Sequence, residues 1–110
     1  MSTITRRKAS ILVVDDDDTI RDNLYELLTA EGFSCFAARD GKSAIEQLGK
    51  RACDLMLLDL RMPRIDGVEV LKTVSVQFPQ VRVIIMSGHG TIQSAVAIIL
   101  PLRFRTSLLI

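Results

Sequence analysis

ILVVDDDD, residues 11–18, runs a short β-branched apolar stretch straight into four consecutive aspartates. Apolar residues without polar alternation suit a strand covered on both faces, as strands are in parallel sheets. Such a strand needs a helix that packs back onto the sheet, so the residues after the aspartates decide the fold. Ile20, Leu24, Leu27 and Leu28 follow at i, i+4, i+7 and i+8 and form one apolar stripe, and Gly32 then offers a left-handed stop. The spacing predicts a strand over 10–14 and a helix over 19–31.

The pattern then recurs. Residues 33–37 read as a second strand, and Asp40-Gly41 opens a helix with Ala44, Ile45 and Leu48 on its inner face. Residues 54–58 read as a third strand. Asp66 can cap a third helix, with Glu69 three residues on and Val70, Leu71 and Val74 turned inward. Residues 81–86 read as a fourth strand. This alternation implies right-handed β-α-β units and an α/β fold with a doubly wound parallel sheet. There is no internal repeat or low-complexity tract.

A chain of 110 residues with 48% hydrophobic and 25% charged side chains fits one soluble globular domain with a modest core. A formal net charge of +1 gives no global attraction to nucleic acid or anionic lipid, so electrostatics that matter must be local. The basic residues are dispersed and no helix-turn-helix pattern is present, so direct nucleic-acid binding is not expected. No apolar run approaches the roughly 20 residues of a membrane helix. The apolar stretch at 11–14 is too short for the core of a signal peptide, and a cytoplasmic location is expected. Cys35 and Cys53 lack a CxxC pattern or nearby histidine and read as reduced, packed thiols.

In doubly wound sheets the functional groups lie beyond the carboxyl ends of the strands, near the point where strand order reverses. Strand one ends at Asp15-Asp16, strand three at Asp59 and strand four at Ser87, so three carboxylates and a hydroxyl should share one rim. Asp54 begins strand three and falls roughly 16 Å from Asp59, at the opposite rim, given about 3.3 Å per residue. Two like charges about 4 Å apart repel by approximately 4 kcal/mol at an effective dielectric near 20, so gathered carboxylates need a cation or must take up protons. Mg²⁺ suits them, being a hard ion that takes carboxylate and phosphate oxygens. Asp17 and Asp18 have a different reading: just before a helix, they complement its dipole and cap its free amides.

Three ordered blocks, ILVVDDDDTIRDNL (11–24), DLMLLDLRMPRIDGVEVL (54–71) and VIIMSGHGT (83–91), resemble the receiver domain of bacterial two-component response regulators. The third block looks most like receivers of the nitrogen-regulation type, which precede sigma-factor-dependent activator modules. The resemblance covers 10–97 and implies a flavodoxin-like fold. It also implies that Asp59 accepts a phosphoryl group from a phosphohistidine of a sensor histidine kinase. Mg²⁺ would be held by Asp16, Asp59 and the backbone carbonyl of Arg61, with Asp15 assisting through water. Ser87 would be the switch hydroxyl that moves toward the new phosphate, and the switched domain would control an output such as transcription. The domain would not be an enzyme beyond slow loss of its own phosphate. Pro63, with fixed φ and no amide donor, and Gly67 would shape the loop after Asp59. His89 lacks an evident carboxylate or thiol partner and reads as a loop residue.

After residue 97 the sequence leaves the family's pattern. AIILPLRFRTSLLI (97–110) has no Gly-Ala-x-Asp-Phe strand, no Lys-Pro and no fifth helix, and Pro101 should end helix four early. The division expected is an extension at 1–9, a receiver core at 10–97 and an atypical tail at 98–110, truncated or altered after strand four. The family's lysine would place a cation against the phosphate; Arg103 and Arg105 are the stand-ins on offer, though neither sits at the expected strand end. An uncovered sheet edge predicts self-association through the altered tail. The alternative function is a receiver-like interaction or oligomerisation module impaired in switching. A phosphohydrolase with an aspartyl nucleophile is disfavoured, because Asp59-Leu60-Arg61 lacks a second acid two residues on.

Overall fold

A computed structural model of the chain describes residues 8–59, 67–86 and 108–109. The elements run β1 (Ser10–Val14), α1 (Asp18–Ala30), β2 (Ser34–Ala38), α2 (Gly41–Leu48), β3 (Leu55–Asp59), α3 (Gly67–Gln77), β4 (Arg82–Met86) and β5 (Leu108–Leu109). The strands form one sheet in the order β2-β1-β3-β4-β5, and every neighbouring pair is parallel. Each expected strand and helix up to β4 is present, with ends shifted by a residue or so.

Side chains leave a strand alternately to its two faces, and in β1 and β3 both sets are apolar. Leu12, Val14, Met56 and Leu58 join the core beneath α2 and α3, with Ala44, Leu48, Val70 and Val74. Ile11, Val13, Leu55 and Leu57 point the other way, into a second core with Leu24 and Leu28 of α1. All four residues of the opening Ile-Leu-Val-Val run are fully buried, as a strand covered on both sides requires.

Helix α1 begins and ends on the residues the sequence marks. Asp17 is its N-cap, accepting from the amides of Thr19 at 2.9 Å and Ile20 at 3.1 Å. At its far end Gly32 adopts φ 99°, in the left-handed region. The Phe33 amide then reaches the Leu28 carbonyl at 3.1 Å and the Gly32 amide the Thr29 carbonyl at 3.1 Å, the paired bonds of a Schellman stop. The apolar stripe needs correcting: Leu24 and Leu28 are buried, but Ile20 is 38% and Leu27 40% exposed. At about 100° per residue Ile20 and Leu27 fall on the same flank, away from the line through Leu24 and Leu28 that meets the sheet.

In α2, Asp40 caps by accepting from the Ser43 amide at 2.7 Å, and Ala44 and Leu48 are buried with Ile45 packed beside them. Gln47 donates to the Ala37 carbonyl of β2 at 2.7 Å, so a side chain occupies a carbonyl of this outermost strand. Val70 and Val74 of α3 are buried and Leu71 packs against the same core. The expected cap Asp66 lies outside the described residues, as do Pro63, His89, Pro101, Arg103 and Arg105. The fifth strand is atypical: two residues, pairing Leu108 with Ile84 and Leu109 with Ile85. Both cysteines are free thiols, Cys53 buried and Cys35 half-buried. Burial pushes the Cys53 thiol up to about 11, so it stays protonated at neutral pH.

Candidate phosphoacceptor and metal site

Strand order reverses between β1 and β3, because β1 leads outward to β2 while β3 leads the other way to β4. The register pairs Val14 with Leu58, so the next residues along, Asp15 and Asp59, come side by side at the carboxyl ends of adjacent strands. Neighbouring strands lie about 4.8 Å apart, and both residues have the parity of the α1 face. Asp16 follows Asp15 where the chain leaves the sheet for α1. Together Asp15, Asp16 and Asp59 can each place one carboxylate oxygen within 4.8 Å of the others. Sequence position alone brought these three to one rim, and the structure brings them together.

Their surroundings differ. Asp15 is 2% exposed, Asp59 is partly exposed and Asp16 is more open than Asp15. The Asp15 amide donates to the Ala38 carbonyl at 3.1 Å, and its Oδ1 accepts from the Asp17 amide at 2.9 Å. Burial raises the Asp15 carboxyl from 3.8 to about 6; the Asp17 amide works against this, while the charges of Asp59, Asp16 and Asp17 add to it. The protein thus gathers acids against their own repulsion, a cost that a bound cation relieves. All three donors are oxygens, which fits a hard divalent ion.

The four-aspartate run divides as its spacing indicates. Asp17 caps α1, and Asp18 pairs with Arg21 on the exposed first turn. Arg21 was not singled out by sequence, yet its Nη1 donates to the Asp15 carbonyl at 2.9 Å. Its position six residues after Asp15, on the first turn of a capped helix, was the available signal. Asp54 serves the other end of the sheet: its Oδ2 accepts from the Ser10 amide at 2.7 Å, and its own amide donates to the Ser10 carbonyl at 2.9 Å. Arg61 and Ser87 lie outside the described residues.

A parallel sheet in the order 2-1-3-4-5, with its polar groups at the switch point, defines the flavodoxin-like class of doubly wound domains. Within that class, a family model for the response regulator receiver domain matches residues 11–101, and the chain belongs to that family. Its relatives include the sporulation initiation phosphotransferase F of Bacillus subtilis, 42% identical over 80 residues, covering 73% of this chain and 64% of that protein. The nitrogen assimilation regulatory protein NtrX of Azorhizobium caulinodans is 40% identical over 91 residues, covering 81% of this chain and 20% of its own length. The DNA-binding transcriptional regulator NtrC of Proteus hauseri is 38% identical over 90 residues, covering 82% of this chain and 19% of that regulator. The chain therefore spans about a fifth of the NtrC and NtrX regulators it matches. Among solved structures, NtrX from Brucella abortus superposes with a TM-score of 0.74 at 36% identity, covering 94% of this chain and 23% of that one. A histidine kinase, ThkA, in complex with the response regulator TrrA gives a TM-score of 0.70 at 27% identity, covering 93% of this chain and 85% of the matched one. Among the described residues no helix is long and apolar enough to cross a membrane.

Proposed function

We propose that this domain is a phosphoacceptor switch in which Asp59 takes a phosphoryl group from a phosphohistidine on a sensor histidine kinase. The observation that carries this reading is the convergence of Asp15, Asp16 and Asp59 at the switch point. In the transfer, an Asp59 carboxylate oxygen attacks phosphorus in line, the new O–P bond forms as the P–N bond to the donor imidazole breaks, and the imidazole leaves with the electron pair. Asp16 and Asp59, with the Arg61 carbonyl, would hold Mg²⁺, and Asp15 would act through a bound water. When bound, the ion supplies positive charge against the carboxylate and phosphoryl oxygens. Asp15, buried and fixed by the Asp17 amide, holds negative charge beside the nucleophile without competing for phosphorus.

Ser87 directly follows β4, beside β3, which ends at Asp59; its hydroxyl is suited to follow the new phosphate and shift the loop after β4. The acyl phosphate is the product kept, so the domain signals and does not turn over as an enzyme. The kinase–regulator complex among the similar structures supports the partner, and the DNA-binding transcriptional regulator NtrC among the relatives supports a transcriptional output. Any contact with DNA would belong to other parts of such a regulator.

Intact-mass measurement after treatment with acetyl phosphate and Mg²⁺ tests the reading. The wild type should gain one phosphoryl group and Asp59→Asn none; equal uptake by both, or none by the wild type, overturns it. One observation favours the second reading, an oligomerisation module that does not switch: β5 pairs with two residues of β4. Beryllofluoride with Mg²⁺ separates the two, since a switch should melt at a higher temperature with this phosphate mimic and an inert module should not respond.

A further inference from the structure

The geometry points to Arg21 as the residue that positions the acidic pair, an inference that rests on the metal site proposed above. Arg21 lies in the first turn of α1 and turns back toward the end of β1. Its Nη1 donates to the Asp15 carbonyl at 2.9 Å, while its Nη2 pairs with the Asp18 carboxylate. The two contacts differ in kind. The Arg21 side chain is 14% exposed and Asp18 is 78% exposed, so solvent screens the ion pair, whereas the bond to the carbonyl is partly buried.

That carbonyl belongs to the peptide plane joining Asp15 to Asp16. Holding its oxygen restrains the tilt of that plane, on which ψ of Asp15, φ of Asp16 and the direction in which the Asp16 side chain leaves the backbone depend. The other groups of Asp15 are held elsewhere: the amide by Ala38 and the carboxylate by the Asp17 amide. Arg21 adds to the set a contact on the peptide plane between the two acids. A planar guanidinium suits this task, because one nitrogen can hold the carbonyl while the other is tied to the helix's first turn.

Calorimetric titration of the full chain with Mg²⁺ tests the assignment. Relative to wild type, Arg21→Met, which keeps the apolar stem and removes the donors, should bind Mg²⁺ about tenfold more weakly, as supporting contacts of metal ligands commonly do. Arg21→Lys, which restores one donor, should recover part of the loss, and Asp18→Asn should stay within about twofold of wild type. Phosphoryl uptake from acetyl phosphate adds a split that mere loss of stability does not produce. Arg21→Met should need more Mg²⁺ for half-maximal rate yet approach the wild-type rate at saturation.

Wild-type Mg²⁺ affinity in Arg21→Met overturns the inference, and so does a loss in Asp18→Asn as large as in Arg21→Met. Should Arg21→Met fail to fold, Arg21→Lys decides: weaker binding with an unchanged melting temperature supports the assignment, and unchanged binding overturns it. A wild type that binds no Mg²⁺ removes the metal site itself, and this inference with it.

Discussion

Asp15 directly follows β1 and Asp59 ends the adjacent parallel strand β3, level with each other in the register, each able to place a carboxylate oxygen within 4.8 Å of the other. The other side chains of β1 and β3 are Ser10 and apolar residues. The fold brings like charges together where it reverses its strand order, and that has measurable consequences for proton uptake.

The first is a stability profile tilted toward acid. Asp15 has an ordinary value of 3.8 and is pushed up to about 6 in the folded chain, so between these values the folded state binds a proton that the unfolded state does not. The metal-free protein should therefore gain stability as pH falls through about 6, by an amount on the order of 3 kcal/mol that is complete only below the ordinary value of 3.8. Asp15→Asn should lose this component and be the more stable protein at pH 8. Thermal melts with chelator at pH 5 and pH 8 give the comparison. Parallel profiles for the two proteins would show that Asp15 does not titrate as described.

Asp17 provides a second handle, because it both caps α1 and adds to the charge around Asp15. Asp17→Ala strands the Thr19 and Ile20 amides and should cost about 1 kcal/mol, within the usual range of roughly 0.5–2 for a lost cap. The same change should lower the pH at which Asp15 takes up its proton, since one repelling charge is gone. Urea unfolding measures the first effect, and the pH profile measures the second. A cap loss with no shift in the profile would leave Asp17 as a helix start alone.

At the other rim, Asp54 is a clamp. Its carboxylate accepts from the Ser10 amide at the start of β1, a charge-assisted bond of a kind that contributes about 1.5–3 kcal/mol. Asp54→Ala should lower stability by about that much and leave Mg²⁺ binding unchanged, whereas Asp59→Asn should weaken Mg²⁺ binding with a smaller effect on the melting temperature. If Asp54→Ala weakens Mg²⁺ binding as strongly as Asp59→Asn does, strand direction has not sorted the two acids.

That sorting shows what the sequence makes legible. A four-residue apolar run between Asp54 and Asp59 fixes their separation, and parallel topology then assigns each to a rim, so the grouping of Asp15, Asp16 and Asp59 follows from pattern. Gly32 and Asp17 mark the ends of α1 because their backbone and capping chemistry is local. Arg21 escaped notice because its partner is a backbone carbonyl, and whether a long side chain turns back six residues depends on rotamers no periodicity reports. The exposed Ile20 and Leu27 escaped for a related reason: a stripe of four on a helix does not say which part of it the sheet covers. The register of β5 rests on long-range pairing alone, and nothing local in residues 98–110 specifies it.

The short fifth strand supports the last prediction. Strand β4 runs over Arg82–Met86, yet β5 pairs with Ile84 and Ile85. Among the described residues no other strand pairs with this edge, and a strand edge left unpaired is a template for a second chain. The protein should therefore self-associate through the β4–β5 edge, with light-scattering mass rising above 12.2 kDa across micromolar concentrations. Leu109→Pro, which removes a backbone donor from a two-residue strand, should free more of the edge and move the rise to lower concentration. A single-chain mass at every concentration in both proteins would mean that the edge is closed by other means. A rise unaffected by Leu109→Pro would move the contact to another surface.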